Sequence, residues 1–138
     1  MGKQEILEKY PSLYREKDLP MDKSCMHWGL DVPEDWLPVI DKLSEVLSNP
    51  PVENYETSKN WRLLGKPQFN WTKPTIIAKQ VKIKYGELRF YYQIEFEDMP
   101  EDLSNEQKSP CYRAAGRFAD GAIAMASAMC EGKPYLSL

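Results

Sequence analysis

Two cations, Lys82 and Arg89, sit in the stretch QVKIKYGELRFYYQIEFE, residues 80–97. Apolar and polar side chains alternate there around Gly86, which reads as two strands joined by a two-residue turn at Tyr85-Gly86. That turn pairs Lys84 with Glu87, Ile83 with Leu88, Lys82 with Arg89, Val81 with Phe90, Gln80 with Tyr91, Lys79 with Tyr92 and Ile77 with Ile94. Val81, Ile83, Leu88 and Phe90 take the core face, with Lys79 snorkelling at its edge. Lys82, Arg89, Gln80 and Tyr91 take the opposite face. Like charges opposite each other weaken a sheet, so the pair needs an answer. Water and salt give one, and carboxylates such as Asp120 or those of residues 95–107 give another. A bound phosphate or carboxylate gives a third, with Arg89 as a bidentate fork and Tyr91 offering its ring or hydroxyl. Arg113 and Arg117 add two cations if the helix that carries them crosses the same face.

Other chemistry has weaker support. His27 is the one histidine, and no nucleophile is spaced to partner it. No P-loop, dinucleotide fingerprint, H-E-x-x-H or G-x-S-x-G occurs. The adjacent carboxylates Glu34/Asp35 and Glu101/Asp102 do not face each other on a helix or are solvated in a loop. Cys25, Cys111 and Cys130 are odd in number and widely spaced, so they make no disulfide framework. With His27 they total four potential zinc ligands but lack paired spacing. No cofactor is implied.

The elements that hold Lys82 and Arg89 follow from periodicity. Residues 4–17 carry Ile6, Leu7, Tyr10, Leu13 and Tyr14 on one helical stripe, interrupted by Pro11. Asp31, Pro33 and Glu34 read as the start of a helix over about 34–48, with Trp36, Val39, Ile40, Leu43, Val46 and Leu47 facing the core. SNPP at 48–51 stops it. WRLLG at 61–65 reads as a short strand and QFNWTK at 68–73 as an extended stretch, with Trp61 and Trp71 packed, or one of them lining a pocket. After an acidic loop, Ser109 and Pro110 read as the start of a helix over about 110–131, ended by Gly132. Its stripe is Cys111, Ala115, Phe118, Ala122, Met125, Ala126 and Met129. Arg113, Arg117, Asp120, Ala124 and Ser127 lie opposite.

The chain has 138 residues, one domain by length, and 42% of them are hydrophobic. That is enough to bury a core without staples. A net charge of −3 argues against duplex nucleic acid as a partner. The total hides segregation: residues 59–94 are basic, between acidic stretches at 25–58 and 95–107. No apolar run approaches the roughly 20 residues that span a bilayer, and MGKQEILEKYPSLYREK has no signal-peptide core. A cytoplasmic protein is the expectation. The architecture is α+β: a short antiparallel sheet centred on a hairpin at about 76–97, packed by the helices at about 34–48 and 110–131.

QVKIKYGELRFYY, with DWLPVIDKLSEVL before it and DGAIAMASAMCE after it, resembles a set of small proteins encoded by phages and prophages. The resemblance runs from Cys25 to Glu131 and is most specific in the hairpin. CEGKPYL departs from the group's second C-terminal Cys, which removes support for a zinc site there. The resemblance implies a phage origin, and since phages encode small cytoplasmic proteins that blunt host defence, a counter-defence role in the host cytoplasm is the expectation. The leading expectation is a non-enzymatic protein that binds a phosphate-bearing signal, such as a cyclic nucleotide or an ADP-ribose derivative. Lys82, Arg89, Tyr91, Arg113 and Arg117 are its contacts, with a homo-oligomer through the Ala/Gly-rich last helix as one way to build the pocket. The alternative is an inhibitor that clamps a host defence protein through its acidic surface. A small hydrolase is weaker.

Overall fold

The computed structural model describes residues 2–56 and 69–131. The expected strand at 61–65, together with Trp61 and Gly132, lies outside them. The described elements run α1 (Lys3–Lys9), β1 (Leu30–Asp31), α2 (Leu37–Leu47), β2 (Glu53–Glu56), β3 (Phe69–Thr72), β4 (Pro74–Lys84), β5 (Glu87–Phe96) and α3 (Asn105–Cys130). β1, β4 and β5 form a three-stranded sheet in that order, and β2 and β3 form a two-stranded one. β4 and β5 are antiparallel, whereas β1 joins β4 in parallel. The fold is α+β, with a mixed sheet in place of a purely antiparallel one.

The β4–β5 turn has the predicted two residues. Tyr85 (φ 54°) and Gly86 (φ 77°) both adopt positive φ, the geometry that matches the twist of the flanking strands. From Lys84–Glu87 to Gln80–Tyr91 the register agrees with the sequence reading. It then shifts by one at Lys79, so Ala78 faces Tyr92, Ile77 faces Gln93 and Ile76 faces Ile94. The expected Lys79–Tyr92 and Ile77–Ile94 pairs therefore do not form. The cause is local. Ile76, Ile77 and Ala78 are all buried, so strict alternation ends there. The bulged Lys79 reaches Glu16, Nζ to Oε2, at 2.7 Å. Burial alone raises the Glu16 carboxyl, but its hydrogen bonds, first of all from Lys79, outweigh that and hold it low.

α1 stops at Lys9, just before Pro11, and the chain continues in turns. Ile6, Leu7, Tyr10, Leu13 and Tyr14 are nonetheless all buried. The turn segment also supplies the Leu13 carbonyl, which accepts from the Ala78 amide at 2.8 Å. Asp31 is not a helix cap. Leu30 and Val32 are buried on either side of exposed Asp31, a period-2 pattern that places it in β1 opposite Lys82. A 3-10 turn at Glu34–Trp36 precedes α2. α2 buries Leu37, Ile40, Leu43, Ser44 and Leu47, and each fully buried aliphatic side chain of this kind stabilises the fold by about 1.5–3 kcal/mol.

α3 starts five residues earlier than Ser109 and Pro110 predict. Ser104 caps it, accepting from the Gln107 amide, while Gln107 returns a bond to the Ser104 amide. This reciprocal box stabilises the helix start. Pro110 then falls inside the helix, where its ring removes the bond to the Glu106 carbonyl. Both residues are exposed, so water can serve that carbonyl. α3 buries Cys111, Ala115, Ala119 and Ala126.

Two apolar clusters result. The larger joins α1, the 10–14 turns, α2, the inner face of the β4–β5 hairpin and Ala119 and Ala126. The smaller gathers Tyr55, Phe96, Leu103, Cys111 and Ala115 where the two-stranded sheet meets the start of α3. Trp71, expected to be packed, is 63% exposed.

Candidate functional site

Successive strand residues point to opposite faces of a sheet. Phe90, Tyr92 and Ile94 face the helices, and Tyr91 faces away with Arg89. Lys82 and Arg89 are register neighbours on that outer face, as the alternation predicts, and both are half-buried. Lys82 Nζ lies 5.9 Å from the Tyr91 ring centroid, a cation–π contact. Arg89 Nη2 meets Glu87 Oε2 at 2.9 Å on its own strand. Asp31, on β1, is the register partner of Lys82 on its other side. The row across the three strands is thus acid, base, base, with Glu87 beside the second base. Glu87 supplies part of the neutralisation that a ligand was expected to provide, to Arg89 alone, while Arg89 Nε stays buried without a hydrogen-bond partner among the described residues and Asp120 engages Tyr92 on the other face.

Arg113 and Arg117 do not join this row. α3 crosses the inner face of the sheet, where the Tyr92 hydroxyl contacts the Gly116 carbonyl at 3.2 Å and Asp120 Oδ1 at 2.6 Å. Burial, then the Asp120 carboxylate, pushes the Tyr92 phenol well above its usual range. Both arginines are exposed on the helix, so the five predicted contacts fall on two sides of the sheet. Beyond the bulge the outer face is not open either. Ile77 is buried there, and Arg15 pairs with Glu95 at 3.0 Å.

The thiols are placed apart in exposure. Cys25 is exposed, Cys111 is buried and Cys130 is intermediate. Cys111 Sγ donates to the Asn54 carbonyl at 3.2 Å, and burial pushes its pKa up. Burial, helped by Asp35, raises Cys130 to about 11. His27 is exposed and meets Trp28 edge to face at 5.1 Å. Among the described residues, no three His, Cys, Asp or Glu side chains gather as a metal-ion cluster.

Three concavities among the described residues lie elsewhere, and the most apolar of them was not anticipated. α2 and α3 pack antiparallel, with Asn49 sharing a hollow with Phe118 and Asp35 acting on Cys130 at the other end. Between them runs a groove. One section, of about 190 Å³, is lined by Val39, Leu43 and Val46 from α2 and by Ala122, Met125 and Met129 from α3. A second section, of about 520 Å³, continues from Lys42 and Val46 to Asn49 and Phe118. From Phe118 to Met129 the groove follows about 16 Å of helix, three turns. Met125 is 71% exposed, Met129 49% and Val46 39%. The apolar residues of this groove, Val39, Leu43, Val46, Phe118, Ala122, Met125 and Met129, belong to the two stripes read as core. Among the described residues the sheet is three strands wide, and α3 buries Ala115, Ala119 and Ala126 while Met125 and Met129 stay exposed. A third hollow, of about 250 Å³, is lined by residues of the 12–13 turn, the end of α2 and the start of β4, including Ser12, Ser48, Lys73 and Thr75. The acidic turn after β5 leaves Glu97, Asp98 and Glu101 exposed, and Asp98 accepts a hydrogen bond from buried Thr72.

No protein-family model, no curated protein sequence and no solved structure matches the chain.

Proposed function

We propose that this chain is a non-enzymatic binding protein that holds an amphipathic helix of a partner protein in the α2–α3 groove. The exposure of Met125 and Met129 above that apolar groove carries the reading. Burying such side chains is favourable, and the flexible thioether of Met adapts to varied apolar surfaces. Two antiparallel helices with a gap between them present the kind of hydrophobic groove that takes the apolar face of a third helix. Lys42 and Glu45 on the rim, 3.8 Å apart, offer one charge of each sign to its polar flank. The hairpin's resemblance to small phage-encoded proteins supports a counter-defence setting, in which the partner belongs to a host defence complex and occupying its helix inhibits it. The test is a selection of amphipathic helical peptides on the intact protein, followed by V46E and M125E. Both substitutions lie on exposed positions, so the fold, followed by circular dichroism, is retained while selected peptides lose at least tenfold in affinity. Peptides that bind both variants as tightly as the parent chain overturn the reading.

A second reading rests on the Lys82–Arg89 register pair and the Lys82–Tyr91 contact. In it, the outer face engages a phosphate-bearing small molecule as an open surface contact, without Arg113 or Arg117. A calorimetric panel of cyclic nucleotides and ADP-ribose derivatives tests it. Binding that is lost in K82A/R89A, with the fold intact, supports this reading, and no binding by the parent chain removes it.

A further inference from the structure

β5 ends the three-stranded sheet. It is ten residues long, and among the described residues no strand pairs with its outer edge. Long edge strands carry devices against pairing, such as Pro, Lys or a bulge. ELRFYYQIEF has neither Pro nor Lys, and the register shift of this hairpin lies in β4 instead.

The direction of the edge groups follows from the turn. A two-residue turn closes on a hydrogen-bonded pair, here Lys84–Glu87. Alternation then commits the backbone amides of Glu87, Arg89 and Tyr91 to β4 and turns those of Leu88, Phe90, Tyr92 and Ile94 outward. The outer edge therefore presents regularly spaced donors and acceptors beneath side chains of known order. Outward from the helices these read Glu87, Arg89, Tyr91, Gln93 and Glu95. Among the registers that pair nearly all of β5 with like faces together, one opposes unlike charges. With a two-fold axis at Tyr92, Arg89 of each copy stands opposite Glu95 of the other, and Tyr91 stands opposite Gln93. On the inner face Phe90 meets Ile94 and Leu88 meets Phe96. Centring on Tyr91 instead sets Glu87 against Glu95 twice, which is repulsive.

We propose that β5 pairs with β5 of a second copy, antiparallel about Tyr92, so that two three-stranded sheets become one continuous sheet. The occupant of the edge is a second copy because the charge order of the strand complements itself. The groove lies between α2 and α3 and is not used, so this inference stands apart from the proposed function. Arg89 exchanges its contact with Glu87, and Glu95 its contact with Arg15, for each other across the axis, and the outer face then carries two Lys82–Arg89–Tyr91 sets on one surface.

Sedimentation equilibrium tests this. The parent chain is expected to give a species of twice its 16.0 kDa. R89E and E95R each set like charges opposite one another at two places and give monomers, whereas R89E/E95R restores the opposition and the dimer. As a check that does not depend on charge, Y91C/Q93C in a C25S background forms an intermolecular disulfide in that register, and Q93C alone does not. A monomer at every concentration, a dimer indifferent to both single reversals, or equal crosslinking by Q93C alone overturns the proposal.

Discussion

Tyr14 and Ser44 show how much the interior depends on single polar contacts. Tyr14 is fully buried, and its hydroxyl lies 2.6 Å from Ser44 Oγ. Ser44 donates its own proton to the Ile40 carbonyl at 2.7 Å, so Tyr14 is the donor of the pair. Burial pushes its phenol far above the usual range, and it stays neutral. Removing either partner therefore has unequal results. In Tyr14→Phe the Ser44 proton keeps its acceptor, and the cost is about 1 kcal/mol. In Ser44→Ala the Tyr14 hydroxyl is left buried without an acceptor, which costs about 1–3 kcal/mol. Urea denaturation of the two variants should rank S44A as the more destabilised. Neither partner's role is readable in the sequence, because Ser44 looks like one more polar position between Leu43 and Glu45. The Lys82–Arg89 pair was readable, since alternation around Gly86 sets it directly. Its neutralisation was not. Glu87 answers Arg89, and Asp31 comes to the register position beside Lys82 only through a parallel pairing that sequence spacing does not reveal.

α1 and α2 are joined by a polar cluster in which Asp41 accepts from Tyr10 at 2.8 Å and from Lys9 at 3.2 Å. Burial raises the Asp41 carboxyl, and the hydrogen bonds from Tyr10 and Lys9 more than reverse it, leaving it below its usual range. A carboxyl depressed in the folded state stabilises at pH above its unfolded value, near 4, and that stabilisation is lost as pH falls through the folded value. Asp41→Asn should therefore lower the urea midpoint at neutral pH and narrow its difference from the parent chain in acid. A constant gap across that range would remove the linkage. The boundaries of the elements show where sequence reading fails physically. α3 begins at a Ser104–Gln107 box because reciprocal capping outweighs the attraction of Pro110 for a first turn. The strand register slips at Lys79 because three consecutive buried residues, Ile76 to Ala78, cannot alternate.

Among the described residues, the helices and the outer face of the sheet give two different surfaces. The outer face carries charges answered in part by the Arg89–Glu87 and Arg15–Glu95 pairs, while the α2–α3 groove is apolar. The stripes of α2 and α3 were visible in the sequence, but apolar periodicity marks a face without saying what covers it. Met125, Met129 and Val46 satisfy the pattern of core residues and end at the surface, while α3 buries Ala115, Ala119 and Ala126. The most direct test of the groove uses the methionine methyl groups. Met ε-methyl NMR on the intact chain, titrated with a selected amphipathic helical peptide, should shift Met125 and Met129. Met21, 66% exposed and outside the groove lining, serves as the control and should stay unmoved. Shifts confined to Met21, or saturable binding that leaves Met125 and Met129 where they were, would contradict the account.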